Sequence, residues 1–513
     1  MNNSLPLTIL EHRPCWCGGA CPHIALACEL EKQKRPRLAE IELHRVLVDN
    51  PDCRQARSVL ARILANENRA AFALEHLDTA IGTAGPDPEL IAQRAIILRQ
   101  GAEIPMAIGA ARERAIAAPD DVWAQQAYLL ALQLDGCLTE AQSVVFDLDR
   151  RFPGNVHLRR FAALIEADSG DHERALARLQ QNDLTALELF DRGRIHEKLK
   201  HYREAWQDWM TAKAMQRKAG ARYNHQSHAR HVAELCDTFT ASRMRYLFAC
   251  DMPAERPWPI FITGFPRSGT TMIEATLSSH PQIVAGDELP FLLETIQRMP
   301  AWLRVNRSYP KALMASSLPE NAMMLSLLRD FYQRKSHAKI GPGVAGMAYF
   351  TDKMPSNEKH WPLIRLLFPQ SPIVHLRRHP LDIIVSNMSH FLTHGGFVAC
   401  ALEWCASHML LLDDLMAFYQ DNIAGLEVAE VRYEDFTRDH RAIIDRMLPA
   451  DLPRDPRCYD FHLNAWHSRT ISARQIKKPV NAGSVGRYLP FLEFLEPILP
   501  IIEPVLRRHR YRA

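Results

Sequence analysis

The sequence has no uninterrupted apolar run long enough to cross a bilayer, and its last apolar stretch, LEFLEPILPIIEPVL, is broken by Glu and Pro. It opens on MNNSLPLTILEHRPC, without a basic segment followed by a long apolar one, so no secretory leader is expected. A large charge of either sign is also missing. Lys and Arg number 62 against 59 Asp and Glu, a formal net charge of +3, so bulk charge implies no nucleic-acid partner. Any anion binding must come from local clusters. Paired cysteine spacing is scarce: the 11 cysteines are an odd number and mostly scattered singly, which fits a reducing compartment rather than a disulfide framework. A cytoplasmic, soluble location is the expectation. Cys15, Cys17, Cys21 and Cys28, with His23, crowd the first 35 residues, but no C-x-x-C pair is among them. That segment is expected to be flexible, with reduced thiols and no metal.

What is present is the composition of a globular protein, 47% apolar and 24% charged. At 513 residues the chain is too long for one ordinary core, and two or more domains are expected.

A period of 34 residues runs through the first half. Ala73, Ala107, Ala141 and Ala175 share it, and Ala61, Ala95, Leu129 and Ala163 repeat in phase. Pro119 and Pro153 keep the same spacing, as do Gly136 and Gly170. Segments such as ARSVLARILANEN and AFALEHLDTAI have helical apolar spacing. Small residues at fixed places suit helices in close contact, and proline suits the boundary between units. The pattern resembles tetratricopeptide repeats, which implies a helical solenoid able to offer a surface to a peptide or protein. The array is expected over residues 36–220, after an N-terminal segment 1–35. HYREAWQDWMTAKAMQ is read as the second helix of a last unit, in which Ala205 follows Ala175 by 30 residues and the register slips. A helical linker is expected over 221–256 and a second domain over 257–513.

The texture changes near Pro257. WPIFITGF reads as a buried strand, GFPRSGTT follows directly, and TMIEATLSSH has helical spacing. Strand, glycine-bearing loop and helix is the setting of a phosphate-binding loop, in which glycines admit the backbone close to an anion and the helix start offers amide donors. Thr270 stands where a nucleotide-triphosphate loop has its lysine, and Arg267 places a cation three residues earlier. SPIVHLRR and LEVAEVRYEDF read as further strands, with helical stretches between, so a parallel sheet covered on both faces is expected. The loop, Arg378 and Tyr433 then fall at strand ends, where such sheets bind ligands.

The loop Pro266–Thr271, P-R-S-G-T-T, resembles the 5′-phosphosulfate loop of sulfotransferases that use 3′-phosphoadenosine 5′-phosphosulfate (PAPS), whose pattern is P-[KR]-S-G-T-T. RRHPLDIIVSNMSH resembles their 3′-phosphate segment, with Ser386 eight residues after Arg378. GDELP (286–290), TDKMPSN (351–357) and TISARQIKKPVNAGSVGRY (470–488) are similar to segments of the branch that contains tyrosylprotein sulfotransferases and bacterial proteins fusing tetratricopeptide repeats to such a domain. The likeness covers residues 257–490. The fold it implies is an all-α tetratricopeptide-repeat solenoid followed by an α/β, P-loop-like sulfotransferase domain with a parallel sheet.

The resemblance also implies roles. Arg267, Ser268, Gly269, Thr270 and Thr271 would hold the 5′-phosphosulfate, and Arg378 and Ser386 the 3′-phosphate. Tyr433 would lie on the adenosine side, Ser472 near the phosphosulfate bridge, and Arg487 where the branch has a basic residue for the nucleotide. Lys353 and Arg267 would stabilise charge on the sulfonate and the leaving phosphate, and Glu288 would take a proton from a hydroxyl acceptor. PAPS is the expected co-substrate, with no metal. The acceptor stays open among peptide, saccharide, lipid headgroup and small phenol. Tyrosine is not implied, because the eukaryotic tyrosine enzymes are secretory-pathway membrane proteins with luminal disulfides. The repeats are expected to recruit the acceptor or a protein partner.

Each residue also has a plainer reading. Glu288 suits the first turn of a helix near Pro290. Asp352 with Lys353 suits a surface pair of little worth. Arg377 alternates to the other strand face and suits a structural contact. His280, His360, His390 and His394 are rival bases that each suit packing. Two other functions compete: a non-catalytic repeat scaffold with a vestigial nucleotide domain, and a P-loop kinase, against which the missing lysine counts.

Overall fold

The computed structural model describes residues 21–33, 35–66, 70–84, 90, 104–253, 255–317, 319–392, 398–463 and 479–512. The chain divides into two compact units, residues 1–180 and 181–513.

The first unit is a succession of helical hairpins. Helices begin at Pro36, Ala70, Ile104, Leu138 and His172, each 34 residues after the last. The partner helices Arg54–Asn66, Val122–Asp135 and Val156–Asp168 precede three of them. The periodic positions are the contact points: Ala61, Ala73, Leu129, Ala141, Ala163 and Ala175 are all fully buried. Ala95 lies outside the described residues. Only small side chains let two helices pack this closely, so the sequence period is a packing period. The N-terminal segment is more ordered than expected. Pro22–Lys32 is a helix, and it buries Ile24 and Ala27 in the same apolar cluster as Ala39 and Leu43 of the next helix. Cys15 and Cys17 lie outside the described residues, and the nine described cysteines are free thiols.

The second unit opens with one more hairpin, α1 (Ala186–Lys198) and α2 (Tyr202–Lys218). Its start is fixed by a capping box, in which Thr185 and Glu188 satisfy each other's backbone amides. The sequence reading places this hairpin at the end of the array, up to residue 220. In the structure it is part of the unit that holds the sheet. The reason is aromatic. Trp206 stacks on Phe494 at 5.4 Å with rings inclined by 11°, and fully buried Trp209 meets Phe491 at 5.3 Å.

The sheet has five parallel strands, β1 (Trp258–Gly264), β2 (Ile283–Val284), β3 (Tyr349–Asp352), β4 (Ile373–Arg377) and β5 (Ala429–Arg432). Their order is β2-β3-β1-β4-β5. Phe261 and Phe350 point into one apolar cluster, whereas Ile260, Ile262 and Tyr349 point into the other, so both faces are covered. The chain runs from β1 to one side of the sheet and returns to the other at β4. Loops after β1 and β4 therefore part at their carboxyl ends and leave a crevice. β5 is shorter than the run LEVAEVRYEDF suggests: its last residue is Arg432, and Tyr433 begins a helix.

Among the described residues, no helix is long and apolar enough to cross a membrane.

Candidate functional site

The loop after β1 is bent by its own backbone. Arg267 has φ of +76°, unusual for a residue with a side chain, and Gly269 has φ of +112°. A Cβ at Gly269 would lie 2.9 Å from the Tyr433 ring, so glycine is required there by conformation and by space. Helix α3 (Thr270–Ser278) starts immediately afterwards, with its free amides at the loop. Helix α4 (Pro380–Met388) follows β4, with Pro380 in its first turn and Ser386 two turns along.

These elements enclose a cavity of about 360 Å³ lined by Arg267, Arg378, Arg487 and Lys198, with Gly269, Thr271, Ser386 and Tyr433 among the remaining wall residues. Its described wall carries four cations and no carboxylate. The Arg378 guanidinium lies 4.5 Å from the centre of the Tyr433 ring and donates to the carbonyls of Arg267 (3.3 Å) and Ser484. Arg267 donates to Ser386 Oγ at 3.2 Å and faces His390 Nε2 at 3.4 Å. Burial, reinforced by Arg487, Arg378 and Arg194, pulls the Arg267 pKa down to about 10. Burial and the same arginine-rich surroundings hold His390 well below the ordinary histidine range. Its Nε2 therefore accepts from Arg267 while Nδ1 donates to the Ser386 carbonyl at 2.8 Å. His390 is a neutral member of the wall, not a base.

Buried donors without a hydrogen-bond partner among the described residues include two from this loop and strand end, Ser268 Oγ and Arg378 Nε. Buried donors without partners are costly unless a ligand completes them. Together with the uncompensated positive charge, they fit a phosphate- or sulfate-bearing molecule.

The C-terminal loop is tied to this cavity by Asp382 on α4. Its buried carboxylate accepts from the amides of Gly486 and Tyr488, both at 2.9 Å, and lies 3.8 Å from Arg378. Arg487 forms a two-pronged pair with Glu197 of α1 at 2.6 and 2.7 Å and donates to Ser389 Oγ at 3.1 Å. Ser472 lies outside the described residues, as does His394.

Glu288 and Lys353 meet one strand away, at the carboxyl end of β3. They are not among the residues lining the cavity. Lys353 Nζ is buried and donates to Asp287 Oδ1 at 2.8 Å and Glu288 Oε1 at 3.0 Å. Burial works against its charge, but Glu274, Asp287 and Glu288 outweigh it and raise its pKa. Glu274 lies on α3, fully buried, and accepts from Thr351 Oγ1 at 2.7 Å and from the Asp287 amide at 2.9 Å. Burial raises its pKa despite the opposing charge of Lys353. Gly286 is needed for this approach, since a Cβ there would sit 2.1 Å from the Thr351 carbonyl. The helix after GDELP begins at Phe291, so Glu288 precedes it and pairs with Lys353 instead of serving its first turn.

The plainer reading of Asp352 and Lys353 as a surface pair is overturned, since both are fully buried. Asp352 accepts from Tyr332 Oη at 2.7 Å, and burial pushes its carboxyl up to about 7. Arg377 is the structural partner that strand alternation suggests, paired with Asp413 at 3.1 Å and Glu430 at 2.6 Å. His280 is buried between the Pro453 carbonyl and the Gln282 amide, and His360 lies against Tyr309. Among the described residues, no group of three or more His, Cys, Asp or Glu is arranged to hold a metal.

Sequence reasoning missed Glu274, Asp287, Asp382, Glu197 and Lys198. Glu274 falls in an apolar helical pattern, and Glu197 and Lys198 fall in what reads as repeat surface. Asp382, two residues after the helix-starting Pro380, had a legible first-turn signal.

The strand–loop–helix unit, the parallel sheet and the anion cavity are those of a sulfotransferase-type domain, and residues 259–455 match the profile of the Sulfotransferase family. The second unit thus carries a sulfotransferase-family domain. An uncharacterized protein of Aquifex aeolicus is 26% identical over 314 residues, 60% of this chain and 40% of that one. Protein-tyrosine sulfotransferase A of Caenorhabditis elegans is 23% identical over 268 residues, 49% of this chain and 67% of that one. The chain therefore spans well under half of the first relative's length and about two thirds of the second's. Among solved structures, the type IV pilus biogenesis factor PilW superposes with a TM-score of 0.33 at 16% identity, covering 37% of this chain and 91% of that one.

Proposed function

We propose that the protein transfers the sulfonate of PAPS to a hydroxyl acceptor, and that the first unit recruits the acceptor or a partner. The observation that carries the reading is the cavity wall of four cations and, among the described residues, no carboxylate, formed by the loop after β1, the end of β4, the C-terminal loop and the end of α1. Arg378 and Ser386 would hold the 3′-phosphate, and the Arg267–Thr271 loop the 5′ end, where Ser268 Oγ is a buried donor in want of an acceptor. PAPS brings an activated sulfonate, so the chain need only bind, orient and meet charge. The acceptor oxygen forms the new S–O bond, the bond to the nucleotide phosphate breaks, and the acceptor proton passes to Glu288. Lys353 and Arg267 oppose the negative charge that builds on the sulfonate and the leaving phosphate. Glu288, half exposed and held by Lys353, is a carboxylate that an acceptor can approach.

Calorimetric titration of adenosine 3′,5′-bisphosphate beside ATP with magnesium tests the donor site. Binding of the bisphosphate in preference to ATP is expected. The reverse preference would point to kinase chemistry, and binding of neither would favour a non-catalytic scaffold.

A further inference from the structure

We propose that Lys198, on the repeat-like hairpin, is a second cation for the 3′-phosphate of the bound nucleotide, so that the hairpin is part of the donor site. The proposal rests on the donor reading above.

Charge accounting points to it. A phosphate monoester carries about two negative charges near neutral pH. Arg378 supplies one positive charge, part of it shared with the buried Asp382 carboxylate 3.8 Å away. Arg487 lies nearby, but its charge is matched by the two-pronged contact with Glu197. Arg267 also reaches Ser386 Oγ, but the donor reading commits its charge to the sulfonate and the 5′ end. Lys198 is the remaining cation of the wall. It is exposed, and no ion pair holds it among the described residues.

Its position follows from α1. Arg194 and Lys198 are four residues apart and share one helical face. Arg194 is close enough to weaken the protonation of both Arg267 and His390, so this face looks onto the cavity. Glu197, adjacent to Lys198, reaches Arg487, which in turn reaches Ser389, three residues after Ser386. That chain of contacts puts Lys198 at the Ser386 end of the cavity.

The hairpin is fixed there by buried polar bonds. Lys213 Nζ on α2 is fully buried and donates to the His390 carbonyl at 2.7 Å, and Arg217 donates to the Cys400 carbonyl at 2.5 Å. The backbone that presents Lys198 is therefore anchored to the segment that follows Ser386. A lysine stem is long enough to reach inward while its backbone stays at the surface.

The test is calorimetry on the full chain with adenosine 3′,5′-bisphosphate and adenosine 5′-phosphate, comparing wild type, Lys198→Ala, Lys198→Glu and Arg378→Ala. Lys198→Ala is expected to weaken the bisphosphate by about 10- to 150-fold, the scale of one charged hydrogen bond, and to leave the 5′-phosphate within about twofold. Lys198→Glu should weaken the bisphosphate further. Because Lys198 is exposed, neither change threatens folding, and an unaltered melting temperature checks that. If wild type prefers the bisphosphate and Arg378→Ala loses that preference while Lys198→Ala keeps it, the Lys198 assignment is overturned and the donor site stands. Equal weakening of both nucleotides would also overturn it, by moving Lys198 to the 5′ end. Absence of any bisphosphate preference in wild type would instead overturn the donor reading, and this inference with it.

Discussion

Two charged centres lie one strand apart at the same edge of the sheet, and they are built in opposite ways. The cavity beside β4 gathers Arg267, Arg378, Arg487 and Lys198 with no carboxylate in its described wall. The centre beside β3 buries a single lysine among Asp287, Glu288 and Glu274. In the first, positive charge is left over and Arg267 is easier to deprotonate than an ordinary arginine. In the second, the lysine is harder to deprotonate than usual. The first arrangement stores electrostatic energy that an incoming anion releases. The second fixes a cation and a carboxylate in place without demanding a ligand. On the proposed reading, donor binding and proton removal fall to different neighbours of β1.

That division can be broken experimentally, and the largest effect is expected at the β3 centre. Glu288→Gln should lower turnover by roughly 10²- to 10⁴-fold, the range of a lost general base, with nucleotide affinity unchanged. Sulfonate transfer from labelled PAPS and calorimetry on one preparation decide it; a parallel loss of affinity would mean the two centres are one. Next comes Arg378→Ala, which should weaken adenosine 3′,5′-bisphosphate by roughly 1.5–3 kcal/mol. Unchanged affinity would remove the β4 cavity from the donor site. Gly269→Ala should follow, at about 1–3 kcal/mol of stability, because it forces a side chain into a positive φ against Tyr433. Chemical denaturation reads it, and an undisturbed midpoint would mean that the loop has another conformation.

The effect that is smallest per step concerns pH. Asp352 is more readily protonated in the folded chain, near 7, than at its ordinary value of 3.8, because burial disfavours its charge. A carboxyl with a raised folded pKa contributes stability that is complete below the ordinary value and is lost as pH rises through the folded one. Between about pH 5 and 7 the wild type should lose on the order of 1 kcal/mol per pH unit from this group. Asp352→Asn should flatten that part of the stability profile measured by urea denaturation. An identical slope in both proteins would show that Asp352 is charged throughout.

The same contrast explains what was legible in the sequence. The β4 cavity was readable because its parts are local. P-R-S-G-T-T must follow a strand and open a helix, and the interval from Arg378 to Ser386 is two helical turns. The repeat period was readable because each contact recurs at a fixed distance along the chain. The β3 centre was only half readable. Glu288 and Lys353 came from resemblance, but β2 and β3 are two and four residues long, too short for a periodicity to register. Glu274 could not be found from its helix alone, since what makes it notable is contact with Thr351 and Asp287 from elsewhere. Lys198 was hidden by a true pattern. The hairpin has the form of a repeat, and its ties to the sheet, the aromatic face toward Phe491 and Phe494 and the bonds of Lys213, Arg217 and Glu197, are all long-range contacts.

The Arg487–Glu197 contact joins residues 290 positions apart. On the ribosome, α1 leaves the exit tunnel before any strand of the sheet, while Arg487 follows all of them. The amides of Gly486 and Tyr488 that engage Asp382 arrive equally late. The strands can pair earlier, but the cavity wall is complete only when the segment carrying Ser484 and Arg487 lands. A chain stopped short of that segment would keep its strands and lose the wall around its ligand.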